Sequence, residues 1–498
     1  MTDEQAPRTV LDVLAAAVRA HPERDAYIHG ERRVSYAGLE RASAGFAATL
    51  LAFGVAKGDV VTLAIPSSIE FAAAYLGSMR AGAITSAINQ RLGPTERASI
   101  VERTEPAVTV ALDDQEIPTG AGRVLRQSEL GLAFAAPRRT DEPVLHPADP
   151  LAIVWTSGTT GAPKGAVYDH ESLSVIHEGM GELTSLAERR VVSLPFAHMG
   201  YMTRIWDELA AGTTLVLVGE PWSAARQIEL IEQERITMVT GVPTQWELML
   251  AHPALDDCDT SSVRLAAVGG ASVAPDLVRR MRERLRCAVI TRYTSTEAGL
   301  ISGTRTTDDD ETVATTVGTA SPVVEIRVVD PATEAVVRRG EVGEIRARSR
   351  AMFRGYWNDP AQSAAALDPD GYLRTGDLGC IGSDGNLRIV GRLKEMYIRG
   401  GYNIYPAEVE SVLADHPAVR QAAVVGTAAQ VIGEIGVAFV VLEAGATRPD
   451  LATLRAWCQE RLADYKAPDR LVILDTLPVT AGHKIDKPAL AAIADESD

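Results

Sequence analysis

Short runs of β-branched residues alternate with longer amphipathic stretches up to about residue 315 of the chain. Val60–Ile65 predicts a strand, Ser68–Arg80 predicts a helix, and Val108–Leu112 predicts another strand. Strand-length runs continue at Leu151–Trp155 and Thr214–Val218, with helical patterns between some of them. Such alternation favours parallel sheets covered by helices. The pattern therefore predicts an α/β fold and excludes all-helical and all-β architectures for this part of the chain.

The pattern changes beyond that point. Val323–Val329, Glu344–Ala347 and Leu387–Val390 are short strands punctuated by glycine, which predicts an antiparallel, barrel-like piece. The Asp384-Gly385 pair predicts a hairpin turn, because such a pair tolerates the positive φ of a type I′ turn.

A third pattern begins near Arg392, where strands and helices of a small α+β unit are predicted. We place the boundary at Gly391–Lys394, so the predicted domains cover residues 1–391 and 392–498. At roughly 100–200 residues per domain, the length of 498 residues predicts two to four domains.

The charge balance restricts the partners. The chain has 49 Lys and Arg residues against 66 Asp and Glu residues, a net charge of −17. So acidic a surface repels nucleic acid phosphates, and no run of basic residues offers an exception. We therefore expect no nucleic acid partner, and an anion such as a nucleotide must bind at a few focused cationic or amide-lined points.

We expect a cytoplasmic protein. Its four cysteines are widely spaced, which is typical of buried residues in a reducing compartment and not of a metal or disulfide framework. The start of the chain lacks the basic and apolar segments of a signal peptide. No run approaches the roughly 18–20 apolar residues of a membrane span.

The strongest local motif directly follows the predicted strand Leu151–Trp155. It is rich in hydroxyl groups and glycine and carries one lysine: Thr156, Ser157, Gly158, Thr159, Thr160, Gly161, Ala162, Pro163, Lys164 and Gly165. Backbone amides, hydroxyls and an ammonium group in one flexible loop can surround a polyphosphate. The spacing does not fit a Walker A loop, because Lys164 lies between Pro163 and Gly165.

Weaker motifs follow in order. Tyr293-Thr294-Ser295-Thr296-Glu297 offers an aromatic face for a purine and a hydroxyl–carboxylate pair suited to Mg²⁺. Tyr372-Leu373-Arg374-Thr375-Gly376-Asp377 places after a glycine a carboxylate that can accept hydrogen bonds from ribose hydroxyls. Each of these motifs also has a purely structural interpretation.

The order and spacing of these motifs resemble the acyl-adenylate-forming superfamily, which includes acyl-CoA synthetases, peptide-synthetase adenylation domains and luciferases. The resemblance covers essentially the whole chain. It implies a large N-terminal domain of two doubly wound subdomains plus a small β-barrel, and a small mobile α+β C-terminal domain. The active site is then expected between the two domains.

The resemblance also implies roles for individual residues. Thr156–Lys164 would grip the β- and γ-phosphates of ATP, and Glu297 would bind Mg²⁺. Lys394 would be the hinge, and Lys484 would be the lysine needed for adenylation. Other nucleotide contacts are expected from Gly269, Gly270, Ala271, Tyr293, Thr294, Thr296, Asp377 and Arg392. The pantetheine arm of the thiol acceptor would enter along Gly400, Gly401 and Tyr402.

The acid to be activated is constrained by the segment that follows Pro195. Amino-acid-activating relatives typically carry an Asp here, and this chain has His198 instead. A pocket without a counter-charge favours an uncharged acyl or aryl group, since an unpaired buried ammonium is costly. We also count His198 among the expected catalytic residues, together with Lys484 and Glu297. The expected pocket residues are His198, Met199, Gly200, Tyr201, Val242, Thr244, Thr294 and Leu300.

The implied reaction uses ATP, Mg²⁺ and CoA to convert a small carboxylic acid, through an acyl-AMP intermediate, into an acyl-CoA. Two alternatives stay open. The enzyme could load a carrier-protein phosphopantetheine instead of CoA, or the chain could be a catalytically silent nucleotide-binding protein. Three departures from the family pattern, Thr294, His483 and Ala428-Ala429, bear on the acid and on the adenylation geometry.

Overall fold

The fold is that of a computed structural model. It describes residues 9–156, 163–181, 183–184, 188–270, 273, 275–429, 431–480 and 485–496. Within these ranges no helix is both long and apolar enough to cross a membrane.

Helices cover the faces of the sheets. The described helices are α1 (Val10–Ala20), α2 (Tyr36–Ala52), α3 (Ile69–Arg80), α4 (Pro94–Thr104), α5 (Leu130–Phe134), α6 (His170–Met180), α7 (Met199–Met202), α8 (Ile205–Ala211), α9 (Ala224–Gln233), α10 (Pro243–Leu250), α11 (Ala254–Asp257), α12 (Pro275–Leu285), α13 (Asp310–Thr315), α14 (Pro360–Ala366), α15 (Pro406–Ala414), α16 (Leu451–Gln459) and α17 (Lys487–Glu496). Single 3₁₀ turns occur at Gln127–Glu129 and Asp464–Lys466.

Four sheets are formed by the described strands. In chain order these are β1 (Asp25–His29), β2 (Arg32–Ser35), β3 (Val60–Ala64), β4 (Ile84–Ala87), β5 (Val108–Ala111), β6 (Arg123–Arg126), β7 (Pro150–Thr156), β8 (Lys164–Asp169), β9 (Arg189–Val192), β10 (Thr214–Leu217), β11 (Met238–Gly241), β12 (Leu265–Gly269), β13 (Ala288–Ser295), β14 (Gly299–Gly303), β15 (Thr319–Ala320), β16 (Glu325–Val329), β17 (Gly343–Arg348), β18 (Leu373–Ile381), β19 (Leu387–Arg392), β20 (Tyr397–Arg399), β21 (Tyr402–Ile404), β22 (Val419–Ala429), β23 (Gly433–Leu442) and β24 (Arg470–Ile473).

Two large sheets confirm the predicted α/β class. The first has the order β6-β5-β3-β4-β7-β8 and the second β15-β14-β13-β12-β11-β9-β10-β1-β2. Their inner strands are parallel, and antiparallel strands close the edges at β8, β2 and β14–β15. Strands buried on both faces carry near-continuous apolar runs, which explains why the sequence pattern located them.

The third sheet lies in the part of the chain predicted as a small β-barrel. Strands β16, β17, β18 and β19 pair antiparallel in linear order. At the β19 edge, the Val317 N–H donates to the Leu387 carbonyl at 2.9 Å, and the Leu387 N–H donates to the Gly318 carbonyl at 2.8 Å. The antiparallel pairing is as expected, and closure into a barrel stays a prediction. The predicted hairpin lies between β18 and β19, where Gly385 has a φ of +83°.

The fourth sheet belongs to the small C-terminal domain. It has the order β21-β20-β23-β22, with β24 parallel to β23. Helices α15 and α16 cover one apolar cluster, which contains Tyr397, Ala438 and Val440. Helix α17 covers a second cluster, which contains Phe439. Sheet β16–β19 ends at Arg392 and this sheet begins at Tyr397. The boundary between residues 391 and 392 stays a prediction.

One buried histidine links the N-terminal helix to the first sheet. His170 begins α6, is 1% exposed, and accepts a hydrogen bond at Nδ1 from the Val10 N–H at 3.2 Å. Burial lowers the pKa of His170 to about 4, against the weaker opposing effect of Asp149 and Asp169. The imidazole is therefore neutral in the folded protein at neutral pH.

We predict that His170 makes the free energy of unfolding depend on pH. The unfolded chain binds the proton near pH 6.5 and the folded one only near pH 4, so stability falls as the pH drops between these values. The loss should approach about 3 kcal/mol. His170→Asn should flatten this dependence in urea unfolding at pH 7 and pH 4.5, whereas His146→Asn, on the surface, should not. An unchanged slope in His170→Asn would contradict the assignment.

Candidate active site

The predicted phosphate-binding loop connects β7 to β8. These strands form an antiparallel pair in which Thr156 lies opposite Lys164, and the Thr156 hydroxyl donates to the Lys164 carbonyl at 3.4 Å. Gly165 is required here, because a Cβ would lie 2.5 Å from the Ile153 side chain. Ser157, Gly158, Thr159, Thr160 and Gly161 lie outside the described residues.

A tyrosine, an aspartate and an arginine from three strands meet at one point. The Tyr293 hydroxyl donates to Asp377 Oδ2 at 2.6 Å, and Arg392 Nε lies 3.0 Å from Asp377 Oδ1. Burial and the Asp377 charge raise the pKa of Tyr293 well above its ordinary value, so its hydroxyl stays a donor. Tyr293 and Asp377 are buried, while Arg392 is 54% exposed. The groups predicted for adenine and ribose therefore line one place.

The part of β18 that precedes Asp377 is bonded to β17. Gly376 has a φ of +70°, a conformation that favours glycine. Its N–H donates to Glu344 Oε1 at 3.3 Å, and Glu344 in turn accepts from the buried Arg346 at 3.0 Å. The Thr375 hydroxyl donates to the Ile345 carbonyl at 2.5 Å. These bonds fix the two residues before Asp377 against β17.

The Glu297 carboxylate meets a tyrosine that sequence reasoning missed. The Tyr356 hydroxyl donates to Glu297 Oε1 at 2.9 Å. On the Tyr356 ring lies the Lys164 ammonium, 5.2 Å from the ring centroid. Just before Glu297, the Thr296 carbonyl accepts from the Tyr168 hydroxyl at 2.5 Å. The lysine predicted for phosphate and the carboxylate predicted for Mg²⁺ therefore lie on either side of Tyr356.

The glycines predicted to line the adenine pocket end β12. Gly269 pairs with Arg292 on β13, and a Cβ there would lie 2.5 Å from the Arg292 carbonyl oxygen. Gly270 has a φ of +80°, and its Cβ position lies 3.6 Å from Val242. The close approach explains Gly269, and the positive φ explains Gly270. Ala271 lies outside the described residues.

The first part of the predicted acyl pocket forms a short helix. His198 is the N-cap of α7, and its Nδ1 accepts from the Gly200 N–H at 3.1 Å. This bond places the proton of a neutral His198 on Nε2. Met199 is buried in the large apolar core.

Tyr201 packs into the interior of the molecule. Its ring stacks on Phe196 with centroids 3.5 Å apart, and its hydroxyl lies 2.9 Å from that of Tyr27. Phe71 and Tyr75 surround the same ring. Both the face and the hydroxyl of Tyr201 thus contact other buried residues, and its role in the acyl pocket stays a prediction.

The second part of the predicted pocket lies along β13, β14 and α10. Thr294 pairs with Leu300 across the β13–β14 hairpin, and Leu300 packs on an apolar cluster that includes Met180 and Met238. Val242 is buried and caps α10, in whose first turn Thr244 lies. These residues lie beside the two strand ends that carry Gly269 and Tyr293.

The residues predicted for the pantetheine path form a tight turn in the small domain. Gly400 and Gly401 have φ values of +57° and +87° and connect β20 to β21, with Arg399 paired to Tyr402. Two consecutive positive φ values are typical of a type I′ hairpin. Tyr402 is 55% exposed and stacks on Tyr465 at 4.2 Å. Lys484 lies outside the described residues.

The segment around Lys394 is held on both sides. On one side Arg392 pairs with Asp377, and the Leu393 N–H donates to the Gly376 carbonyl at 2.8 Å. On the other side Glu395 lies 2.6 Å from Lys487 of α17, which also lies 2.9 Å from Glu410. Lys394 is an exposed residue between these two sets of contacts.

Fold and site together define an adenylate-forming class of α/β enzyme, and the comparisons identify its family. The sequence model of the AMP-binding enzyme family matches residues 14–357, and that of the AMP-binding enzyme C-terminal domain matches residues 408–484. The chain belongs to this family.

Characterised relatives match along nearly the whole chain. A Mycobacterium tuberculosis ligase, named for coupling CoA to a methyl-dioxo-octahydroindenyl propanoate, is 37% identical and aligns with 97% of this chain and 98% of its own. Feruloyl-CoA synthase of an Amycolatopsis species is 36% identical and aligns with 94% of this chain and 96% of its own. The ATP-bound crystal structure of MatB from Rhodopseudomonas palustris is similar, with a TM-score of 0.89 and 28% sequence identity. The match covers 97% of this chain and 99% of the MatB chain.

We predict that Tyr293→Phe lowers the free energy of unfolding by about 1–3 kcal/mol, because the buried Asp377 Oδ2 loses its donor. The measurement is chemical denaturation at pH 7. Tyr402→Phe, on an exposed ring, serves as the control and should change stability by less than about 0.5 kcal/mol. Equal stabilities of the Tyr293→Phe variant and the natural chain would contradict the bond between Tyr293 and Asp377.

Proposed function

We propose that this protein, an ATP-dependent carboxylic acid–CoA ligase, activates acids with an uncharged acyl or aryl group. One observation carries the nucleotide part of the proposal. The stretch from Tyr293 to Glu297 contacts Asp377 at one end and Tyr356, with Lys164, at the other. A single ATP molecule needs both sets of groups, one for its nucleoside and one for its phosphates.

The nucleoside would lie at the Tyr293 end. The Tyr293 ring offers a face for adenine, next to Gly269 and Gly270. Asp377 already accepts from Tyr293 and Arg392, but each carboxylate oxygen has two lone pairs, so it can accept ribose hydroxyls as well. Arg392 is half-exposed beside it and can donate to the ribose.

The phosphates would lie toward Lys164 and the loop that precedes it. Within the described ranges no three His, Cys, Asp or Glu side chains converge as a ready-made metal site. Glu297 fits Mg²⁺ in a different way, since this ion is commonly held by one or two carboxylates together with substrate phosphates. When bound, Mg²⁺ neutralises phosphate charge. Lys164 and the loop amides would stabilise the charge that develops as the acid attacks the α-phosphate.

The substrate class follows from the residues proposed for the acyl pocket. Met199, Val242 and Leu300 are apolar, and the whole proposed set contains no carboxylate to pair with a substrate ammonium. An amino acid would therefore leave a buried ammonium unpaired, which is costly. The acyl groups in the names of the two relatives also lack an amino group.

We place the hinge at Lys394, with the domain boundary between residues 391 and 392. Arg392 and Leu393 are bonded to β18, whereas Glu395 is bonded to α17 of the small domain. A rotation of the small domain would then be taken up at the residue between them. Such a motion would withdraw Lys484 after adenylation and bring the Gly400–Gly401 turn to the acyl-AMP for the thioester step.

The acceptor thiol and the location complete the proposal. We assign CoA as the acceptor, and a carrier-protein phosphopantetheine is the alternative, since the same path would admit either. The four cysteines are free in the structure, which suits the reducing conditions of the cytoplasm.

An acid panel tests the substrate class. Pyrophosphate release should depend on neutral alkyl, cyclic or aromatic acids and should stay at background with amino acids. CoA or a phosphopantetheinylated carrier is then added, and thioester formation identifies the acceptor. Preference for an amino acid would contradict the uncharged class. No release with any acid would favour a silent nucleotide-binding protein.

We predict that Lys484→Ala slows acyl-AMP formation by roughly 10²–10³, the effect of removing one preorganised donor from a developing charge. Thioester formation from pre-made acyl-AMP and CoA should survive, because Lys484 serves the first step alone. Both half-reactions are measured by rapid quench, with Lys57→Ala, at a surface ion pair, as the control. Equal losses in the two half-reactions would contradict the two-conformation mechanism.

A further inference from the structure

The backbone of Tyr356 is fixed to the strand that begins with Lys164. The Arg354 N–H donates to the Val167 carbonyl at 2.7 Å, the Val167 N–H donates to the Gly355 carbonyl at 3.0 Å, and the Trp357 N–H donates to the Gly165 carbonyl at 2.7 Å. The Tyr356 N–H itself donates to the Ser363 hydroxyl at 2.8 Å. These bonds fix the main chain of Tyr356 relative to β8, the strand that begins with Lys164.

The two ends of the Tyr356 side chain contact opposite charges. The ring face lies under the Lys164 ammonium at 5.2 Å, within the range of a cation–π interaction. The hydroxyl donates to Glu297 Oε1 at 2.9 Å. Within the described part of the chain, Lys164 and Glu297 form no ion pair with each other, and Glu297 Oε2 accepts from no side chain.

The contact with Glu297 belongs to a wider set of anchors. The Tyr168 hydroxyl donates to the Thr296 carbonyl at 2.5 Å, and the Phe353 N–H donates to the Glu297 carbonyl at 2.8 Å. The main chain of Thr296 and Glu297 is thus held independently of Tyr356. The Tyr356 hydroxyl is what orients the carboxylate itself.

We infer that Tyr356 is a positioning residue that keeps Lys164 and Glu297 apart and orients each toward a different part of the Mg²⁺–ATP substrate. The inference rests on the proposed function. A direct Lys164–Glu297 ion pair would neutralise the two charges that the phosphates and Mg²⁺ require. The tyrosine prevents this by contacting the lysine with its ring and the carboxylate with its hydroxyl.

Two substitutions separate the two contacts. Tyr356→Phe keeps the ring but removes the hydrogen bond to Glu297, whereas Tyr356→Leu removes both. ATP binding is measured by calorimetry in EDTA and across a Mg²⁺ titration, so the readout does not depend on turnover. Tyr372→Phe is a matched control, because Tyr372 donates to Glu325 at 2.8 Å and carries Arg327 on its ring at 4.0 Å.

Tyr356→Phe should bind metal-free ATP within about twofold of the natural chain, but should need roughly tenfold or more Mg²⁺ for half-maximal tightening, as is typical when a partner of a metal-binding carboxylate is lost. Tyr356→Leu should also bind metal-free ATP about two- to fivefold more weakly, because Lys164 loses its ring contact. Tyr372→Phe should match the natural chain in both conditions.

A double variant distinguishes positioning from a general loss of structure. If Tyr356 acts through Glu297, Tyr356→Phe added to Glu297→Gln should change the Mg²⁺ dependence no further than Glu297→Gln alone. Additive effects of the two substitutions would overturn the inference. So would a Mg²⁺ dependence in Tyr356→Phe equal to that of the unsubstituted protein. Failure of the natural chain to bind ATP with Mg²⁺ would instead overturn the proposed nucleotide site, and the inference with it.

Discussion

The candidate site depends on a five-residue stretch at the end of β13. Tyr293 at its start bonds to Asp377, and Glu297 at its end bonds to Tyr356. Because β13 lies inside the larger sheet, paired with β12 and β14, this stretch is held in a fixed position. The four-stranded sheet β16–β19 supplies Asp377 and Arg392, and the β7–β8 pair supplies Lys164. Residues from three sheets thus meet at the end of β13.

The negative charge of the chain means that a triphosphate must bind where positive side chains are placed locally. The chain carries a net charge of −17, so a triphosphate would be repelled by most of the surface. Among the described residues, Arg392 contacts Asp377 and Lys164 contacts the Tyr356 ring, and neither contact uses all of the donors of the cation. The two positive charges therefore lie near the two ends of the Tyr293–Glu297 stretch.

Sequence reasoning located the parts of this site whose signals are local. The strand before Thr156, the glycine that precedes Asp377 and the order of the motifs could all be read from neighbouring residues. Tyr356 could not, because its value comes from a backbone pairing with β8, nearly two hundred residues earlier in the chain. Tyr201 shows the same limit from the other side. It lies three residues after His198, but its stacking on Phe196 and the 2.9 Å contact of its hydroxyl with that of Tyr27 depend on the fold. Its place in the acyl pocket stays a prediction.

The central claim is that one nucleotide touches both ends of the Tyr293–Glu297 stretch, and a crystal structure with a non-hydrolysable ATP analogue and Mg²⁺ tests it most directly. We expect adenine on the Tyr293 ring, the ribose hydroxyls at Asp377, and the triphosphate between Lys164 and Glu297. Density for the analogue elsewhere, or contact with only one end of the stretch, would contradict it.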